Sequence, residues 1–278
     1  MPHDRIEILA DLHTHTVHSH GRGTVEENVL AARARGLKAV GITDHGPASL
    51  FGVGVRDLSV YDEISHETKE CTLKYQDIEV LTGAEANIVS LGGDLDVPDE
   101  VLSRLDVVLA GLHVMISGNT LSDTWALACR NFIARYSAII RRRARVENTK
   151  ALVEAVMRHP IDVVTHPGLH VSIDTEELAL ACARAGTALE INGGHPHMEE
   201  AFIHVARKQG VDFCISSDAH EPARVGDFGR AIELAERAGL DAARIVNASG
   251  YRQTRGSSGG VTGGGKRPHN NHGFIWGR

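Results

Sequence analysis

Seven short apolar runs, rich in β-branched residues, recur along the chain: IEILADLH (6–13), KAVGITDH (38–45), IEVLTGAE (78–85), DVVLAGLH (106–113), IDVVTHPG (161–168), TALEINGG (187–194) and VDFCISSDAH (211–220). Runs this apolar suit strands buried on both faces, as in a parallel sheet covered by helices. The segments between them supply the helices. TVEENVLAARARG opens on Thr24, carries Glu27 three residues on as a capping box, and stops at Gly36. DTEELALACARAG repeats the plan with Asp174, Glu177 and Gly186. Further helices are predicted over 62–76, 198–209 and 227–238, and over 122–158 as a pair. Strand–helix alternation of this count, in 278 residues, predicts an α/β chain with one domain over 1–250, a seven-stranded (β/α)7 barrel. An open doubly wound sheet is the alternative. Residues 251–278 turn Gly-rich and lose apolar periodicity, which predicts a flexible tail in which His269 and His272 are solvated.

The runs end in an unusual way. The first ends in His13 and is followed by His15, the second ends in Asp44 and His45, the third in Glu85, the fourth in His113. The fifth carries His166, the sixth Glu190 and Asn192, the seventh Asp218 and His220. In a β/α barrel the C-terminal ends of all strands open on one face, so these residues converge. A single strand-end histidine is most simply a hydrogen-bonded structural residue. Their conjunction is hard to obtain from packing alone. Imidazole nitrogens and carboxylate oxygens are the ligands that zinc, manganese and iron accept. Residues i and i+2 of a strand point the same way, so His13 and His15 can share one ion. The set is too large for one tetrahedral ion and predicts two or three divalent transition metals, with a carboxylate bridging two of them.

Other classes are disfavoured. A net charge of -7 argues against a dedicated nucleic-acid binder, so long nucleic acid is not an expected partner. No apolar run approaches the roughly 18 residues of a spanning helix, and no membrane partner is expected. The start lacks the basic-then-apolar pattern of a signal peptide. Cys71, Cys129, Cys182 and Cys214 are far apart and read as four buried reduced thiols, which points to a cytoplasmic protein. There is no GxSxG, no phosphate-binding P-loop and no HExxH.

The stretches DLHTHTVHSHG, VGITDHGP, LTGAEANI, LAGLH, VVTHPG, ALEING and SSDAH occur in the order of the PHP (polymerase and histidinol phosphatase) family, and the chain resembles its stand-alone bacterial phosphatases over about residues 6–249. The resemblance implies a distorted seven-stranded barrel with a trinuclear metal centre. It implies that His13, His15, Glu85 and Asp218 hold one metal, that Glu85 bridges to a second held by His113 and His166, and that His20, His45 and His220 hold a third. Within DLHTHTVHSHG, His20 aligns with the family ligand better than its rival His18, because the small HGRGT follows it. The activity implied is a metal-dependent phosphatase acting on small phosphomonoesters through metal-activated hydroxide. Asp11 and Asp44 are candidates to orient neighbouring histidines, with a structural cap role as the equal alternative for each. Arg224 is a candidate to bind substrate phosphate, with a plain surface arginine as its alternative; His195 and His197 are candidates to line the mouth, His195 as a substrate contact. Two departures stand out: a long segment between His113 and His166, with RRRAR (141–145) read as a solvated helix face, and the Gly-rich ending where relatives continue into a closing helix. A phosphodiesterase or nuclease, an amidohydrolase-like hydrolase and a non-catalytic binding module are the alternative functions. Oligomeric state is not readable.

Overall fold

The computed structural model describes residues 6–252. The tail from residue 253 on, with His269 and His272, lies outside the described residues. All seven apolar runs form strands: β1 (Ala10–Thr14), β2 (Ala39–Ile42), β3 (Glu79–Asn87), β4 (Val107–Gly111), β5 (Val163–Val164), β6 (Ala188–Asn192) and β7 (Phe213–Ser216). They pair in parallel in the order β1-β2-β3-β4-β5-β6-β7. The helices between them are α1 (Val25–Ala34), α2 (Val60–Lys74), α3 (Asp99–Leu102), α4 (Leu121–Thr124), α5 (Arg130–Ala134), α6 (Ala138–Arg158), α7 (Thr175–Ala185), α8 (Glu200–Lys208) and α9 (Gly229–Arg237). The expected pair over 122–158 is present, its first member interrupted by a π-helical turn at Trp125–Cys129. The Thr24–Glu27 capping box forms, and Asp174 caps α7 while Gly186 ends it in the left-handed conformation.

The sheet curls until β1 meets β7, which makes the barrel and rules out the open sheet. At the mouth the edges touch directly: the His15 amide donates to Ala219 O at 2.8 Å. Farther down they do not, and Asn247 fills the gap. Its amide donates to Ala10 O (2.7 Å) and Ile215 O (2.6 Å), and its Oδ1 accepts from the Ile215 N–H (3.1 Å). One buried side chain thus stands in for a run of strand pairing. Asp11 closes the same seam, accepting from the Ser217 amide, the Ser217 hydroxyl and the Gly226 amide. Burial pushes the Asp11 carboxyl upward, against these hydrogen bonds. Asp11 is therefore a seam residue, the structural alternative to orienting a ring, and it meets His13 at the backbone amide (3.4 Å).

The barrel interior is small. Ala10, Leu12, Val107, Leu109, Val163 and Cys214 fill its lower half, and the larger apolar core lies between sheet and helices. On β1 the inward residues are thus Ala10 and Leu12, yet His13 and His15 also face inward. The cause is a bulge. Asp11 pairs with Val40 and Thr14 with Ile42, three residues against two. An extra residue reverses which side chains face in. The bulge turns the H-x-H pair from the helix side to the mouth.

Candidate metal centre

Every strand delivers a polar side chain to the mouth, and the local backbone explains how. Past the bulge, the chain folds back at Gly21, where a Cβ would lie 2.6 Å from the His15 carbonyl; only glycine permits this approach. The return sets the His20 ring 5.6 Å from His15, 5.0 Å from His45 and 4.2 Å from His220. Asp44 fixes the loop by accepting from the Thr16 amide (2.8 Å), the Thr16 hydroxyl (2.7 Å) and the Ser19 hydroxyl (2.5 Å). It orders the loop rather than a histidine ring, again the structural alternative. His166 and Asp218 adopt φ of 27° and 54°. Such values are uncommon for non-glycine residues and mark backbone held by its surroundings. Here that backbone turns both side chains toward the centre.

Glu85 lies at the middle and is fully buried. Its Oε1 is 2.9 Å from His166 Nε2 and 3.3 Å from His113 Nε2. Its Oε2 is 2.9 Å from His45 Nδ1 and 3.2 Å from His13 Nε2. Asp218 Oδ1 is 3.3 Å from His15 Nε2 and 3.5 Å from His13 Nε2. Three donor sets capable of holding an ion emerge: His13, His15 and Asp218; His45, Glu85 and His113; His15, His45 and His220. The Nε2 atoms of His13 and His15 are 3.1 Å apart, and those of His113 and His166 3.2 Å. Two nitrogens on one tetrahedral zinc are separated by about 3.3 Å, given bonds near 2.05 Å. Buried His15 Nδ1 finds no hydrogen-bond partner among the described residues, and Glu85 Oε2 and His45 Nδ1, though 2.9 Å apart, are not aligned for a hydrogen bond and have no other. Orphaned buried acceptors of this kind fit a cation.

Four rings are held by their far nitrogen. His13 Nδ1 meets Glu190 Oε1 (2.7 Å), His113 Nδ1 meets Asn87 Oδ1 (2.7 Å), His20 Nδ1 meets Val53 O (3.2 Å) and His220 Nδ1 meets Asp218 O (2.9 Å). All these partners can accept, so in these rings Nδ1 carries a hydrogen and Nε2 is the nitrogen left for the centre. Glu190 also accepts from the His166 amide, Asn192 and Ser216. The sequence placed Glu190 at the mouth without a role. Two features could have supplied one: it shares the inward parity of Asn192, and it is a carboxylate set between apolar neighbours.

The charges suit a cation. Burial opposes ionisation of Glu85, but His45, His13 and His113 overcome it and hold the carboxyl well below its ordinary range. Burial lowers His20 and His113 to about 4, so both are neutral near pH 7. For His13, burial is outweighed by Glu85, Asp218 and Glu190, and its pKa stands well above the usual value; His166 is raised against burial by Glu85. Metal-free protein at neutral pH therefore keeps protons that a metal must displace. Adding metal to chelated protein in weak buffer should release roughly one or two protons per chain, read with an indicator dye. No acidification on loading would contradict this assignment.

His18 is not part of the centre: its Nε2 binds Glu67 at 2.8 Å. His18→Ala should keep full metal content and activity within about twofold, since this partly buried pair lies outside the cluster around Glu85. Of the mouth residues expected from sequence, His195 has its Nε2 3.3 Å from Asp218 Oδ2. Arg224 pairs with Asp227 at 3.0 Å, and His197 meets the carbonyl of Pro167, next to His166.

A β/α barrel whose mouth gathers imidazoles around a buried carboxylate has the build of a metal-dependent hydrolase. The profile of the PHP domain matches residues 11–221. The chain belongs to the PHP family. A protein of Thermoanaerobacter sp. (strain X514) named Probable phosphatase is 31% identical over 257 residues, covering 87% of this chain and 91% of its own. One of the same name from Caldicellulosiruptor bescii is 33% identical over 229 residues, covering 79% and 82%. Among solved structures, the histidinol phosphate phosphatase of Lactococcus lactis, complexed with zinc, L-histidinol and phosphate, shares the fold with a TM-score of 0.61 at 17% identity, covering 87% of this chain and 97% of that one.

Proposed function

We propose that the chain is a phosphatase that hydrolyses small phosphomonoesters at a centre of three divalent transition metals, drawn from zinc, manganese and iron. The observation that carries the reading is Glu85, whose two oxygens face different histidine groups. His13, His15, Glu85 and Asp218 would hold one ion, Glu85, His113 and His166 a second, and His20, His45 and His220 a third. Ions bound there would supply Lewis acidity toward phosphoryl oxygens and acidify a water molecule. The chain supplies the rest. Glu190 and Asn87 fix the tautomers of His13 and His113. Apolar residues close the barrel below the centre. His195, at the rim beside Asp218, would meet a substrate oxygen. The phosphatase names of the curated relatives and the phosphate and zinc in the Lactococcus structure support this reading. Cys71, Cys182 and Cys214 are buried thiols as expected, but Cys129 is exposed, on the π-helical turn; a cytoplasmic setting remains part of this proposal.

The test combines elemental analysis with assays on an aryl phosphate and a panel of phosphate mono- and diesters under each metal. Monoester turnover with at least two ions per chain is expected. Fewer than two ions in fully loaded protein would sink the multinuclear centre. Absence of phosphate release with every metal would sink the activity, and faster diester cleavage would favour a nuclease.

A further inference from the structure

The metal centre leaves the long segment between His113 and His166 unexplained. Residues 124–146 hold six arginines and no carboxylate, in a chain of net charge -7. Several of these arginines are neutralised at home. Arg130 and Arg143 meet Glu147, and Arg145 meets Asp174. Arg135, Arg141 and Arg142 meet no carboxylate among the described residues: Arg135 lies over the Phe132 ring at 4.6 Å, and Arg141 donates to the Ala134 and Arg135 carbonyls.

The same hairpin exposes large apolar side chains. Phe132 is 56% exposed, Tyr136 78%, Ile139 83% and Val146 69%. Phe132 and Tyr136 are in ring contact at 6.4 Å, and Ile139 begins α6 directly after the connection. On α6, Ile139, Arg142, Arg143 and Val146 share one face by their spacing of three and four. The opposite face buries Ala144, Asn148, Ala151 and Leu152. The outward face is thus an apolar stripe flanked by arginines.

We propose that this hairpin docks the protein on an anionic phospholipid surface, the apolar side chains entering the headgroup boundary and Arg135 and Arg142 meeting lipid phosphates. Charge complementarity selects this partner. Two copies meeting face to face would set unneutralised arginines against each other. A nucleic acid would use the arginines and the aromatic rings but has nothing to offer the aliphatic Ile139 and Val146. An anionic bilayer uses both, because arginine stems lie along apolar surface while their heads bind phosphate. No helix among the described residues is long and apolar enough to cross a membrane, and contact from one side needs none. The expectation of no membrane partner rested on the missing span, and does not bear on this contact.

The experiment is co-sedimentation of the metal-loaded protein with vesicles of phosphatidylcholine alone or with about one part in four phosphatidylserine. Partitioning should be about tenfold stronger on the anionic vesicles and fall with salt. Trp276→Phe leaves Trp125 as the only indole, and its emission should shift to the blue on binding. The pairs Arg135→Glu/Arg142→Glu and Phe132→Ser/Ile139→Ser should each abolish partitioning and leave aryl phosphate turnover unchanged. Loss with the arginine pair alone would reduce the effect to charge and overturn insertion. Equal binding to both vesicle types, no binding, binding only to an RNA oligonucleotide, or a dimer dissociated by Phe132→Ser/Ile139→Ser would overturn the proposal.

Discussion

Glu85→Gln should cost the protein its metal and about 10³-fold or more in kcat/KM while leaving the barrel folded. The carboxylate is buried beneath His13, His45, His113 and His166, and it is the group both histidine sets share. An amide keeps the volume and the acceptor for the Thr165 hydroxyl, which lies at 2.6 Å. It removes the charge that balances cations. Loss of one preorganised electrostatic group in a closed site typically costs 10²–10³-fold, and loss of the ions themselves adds to that. Elemental analysis, a monoester assay and a thermal melt read the three consequences separately. Full metal content in Glu85→Gln would remove Glu85 from the centre. A collapsed melt would make its role structural.

Asn247→Ala should have the largest effect on stability, about 3–5 kcal/mol, without touching a ligand. The substitution leaves Ala10 O, Ile215 O and the Ile215 N–H without their partner in a fully buried seam. Each unsatisfied buried group costs roughly 1–3 kcal/mol. In a domain of this size the melting temperature should drop by about 10 °C. The two strands that lose their splice are those that deliver His13, His15 and Asp218 at their upper ends. Metal affinity should therefore weaken along with stability, and added metal should restore part of the loss. A melt within 2 °C of the parent would show that the seam closes without this side chain.

These two residues mark what the sequence could and could not disclose. The strands were legible because burial on both faces demands unbroken apolar runs, and the first and seventh helices because Thr24, Glu27, Asp174 and Gly186 spell their ends. The convergence at the mouth followed from strand polarity alone. The bulge was not legible, since it is a mismatch between two strands and leaves no mark in either one's periodicity. Without it His13 and His15 would face the helices. Asp11 and Asp44 stayed open between orienting a ring and a structural role for a related reason. A carboxylate beside histidines in sequence looks like their partner, but Asp11 spends its oxygens on Ser217 and Gly226, and Asp44 on Thr16 and Ser19. The true orienter, Glu190, is far from His13 in the chain and reaches it only through barrel closure. The π-helical turn and the apolar face of α6 were missed because RRRAR draws attention to charge and away from its neighbours.

The seam has one more consequence. Ile8 is bridged to Ala248, and the Ser249 amide donates to Glu7 O at 2.8 Å, so the two ends of the described chain lie side by side. A short linker from residue 252 to residue 6 would cover that distance, and the backbone could then be opened at Gly210, in the turn between α8 and β7, away from every candidate ligand. Such a circular permutant would begin synthesis with the strand that now comes last. Its ligands would still meet, because the centre depends on which strands are neighbours around the ring and not on which of them leaves the ribosome first.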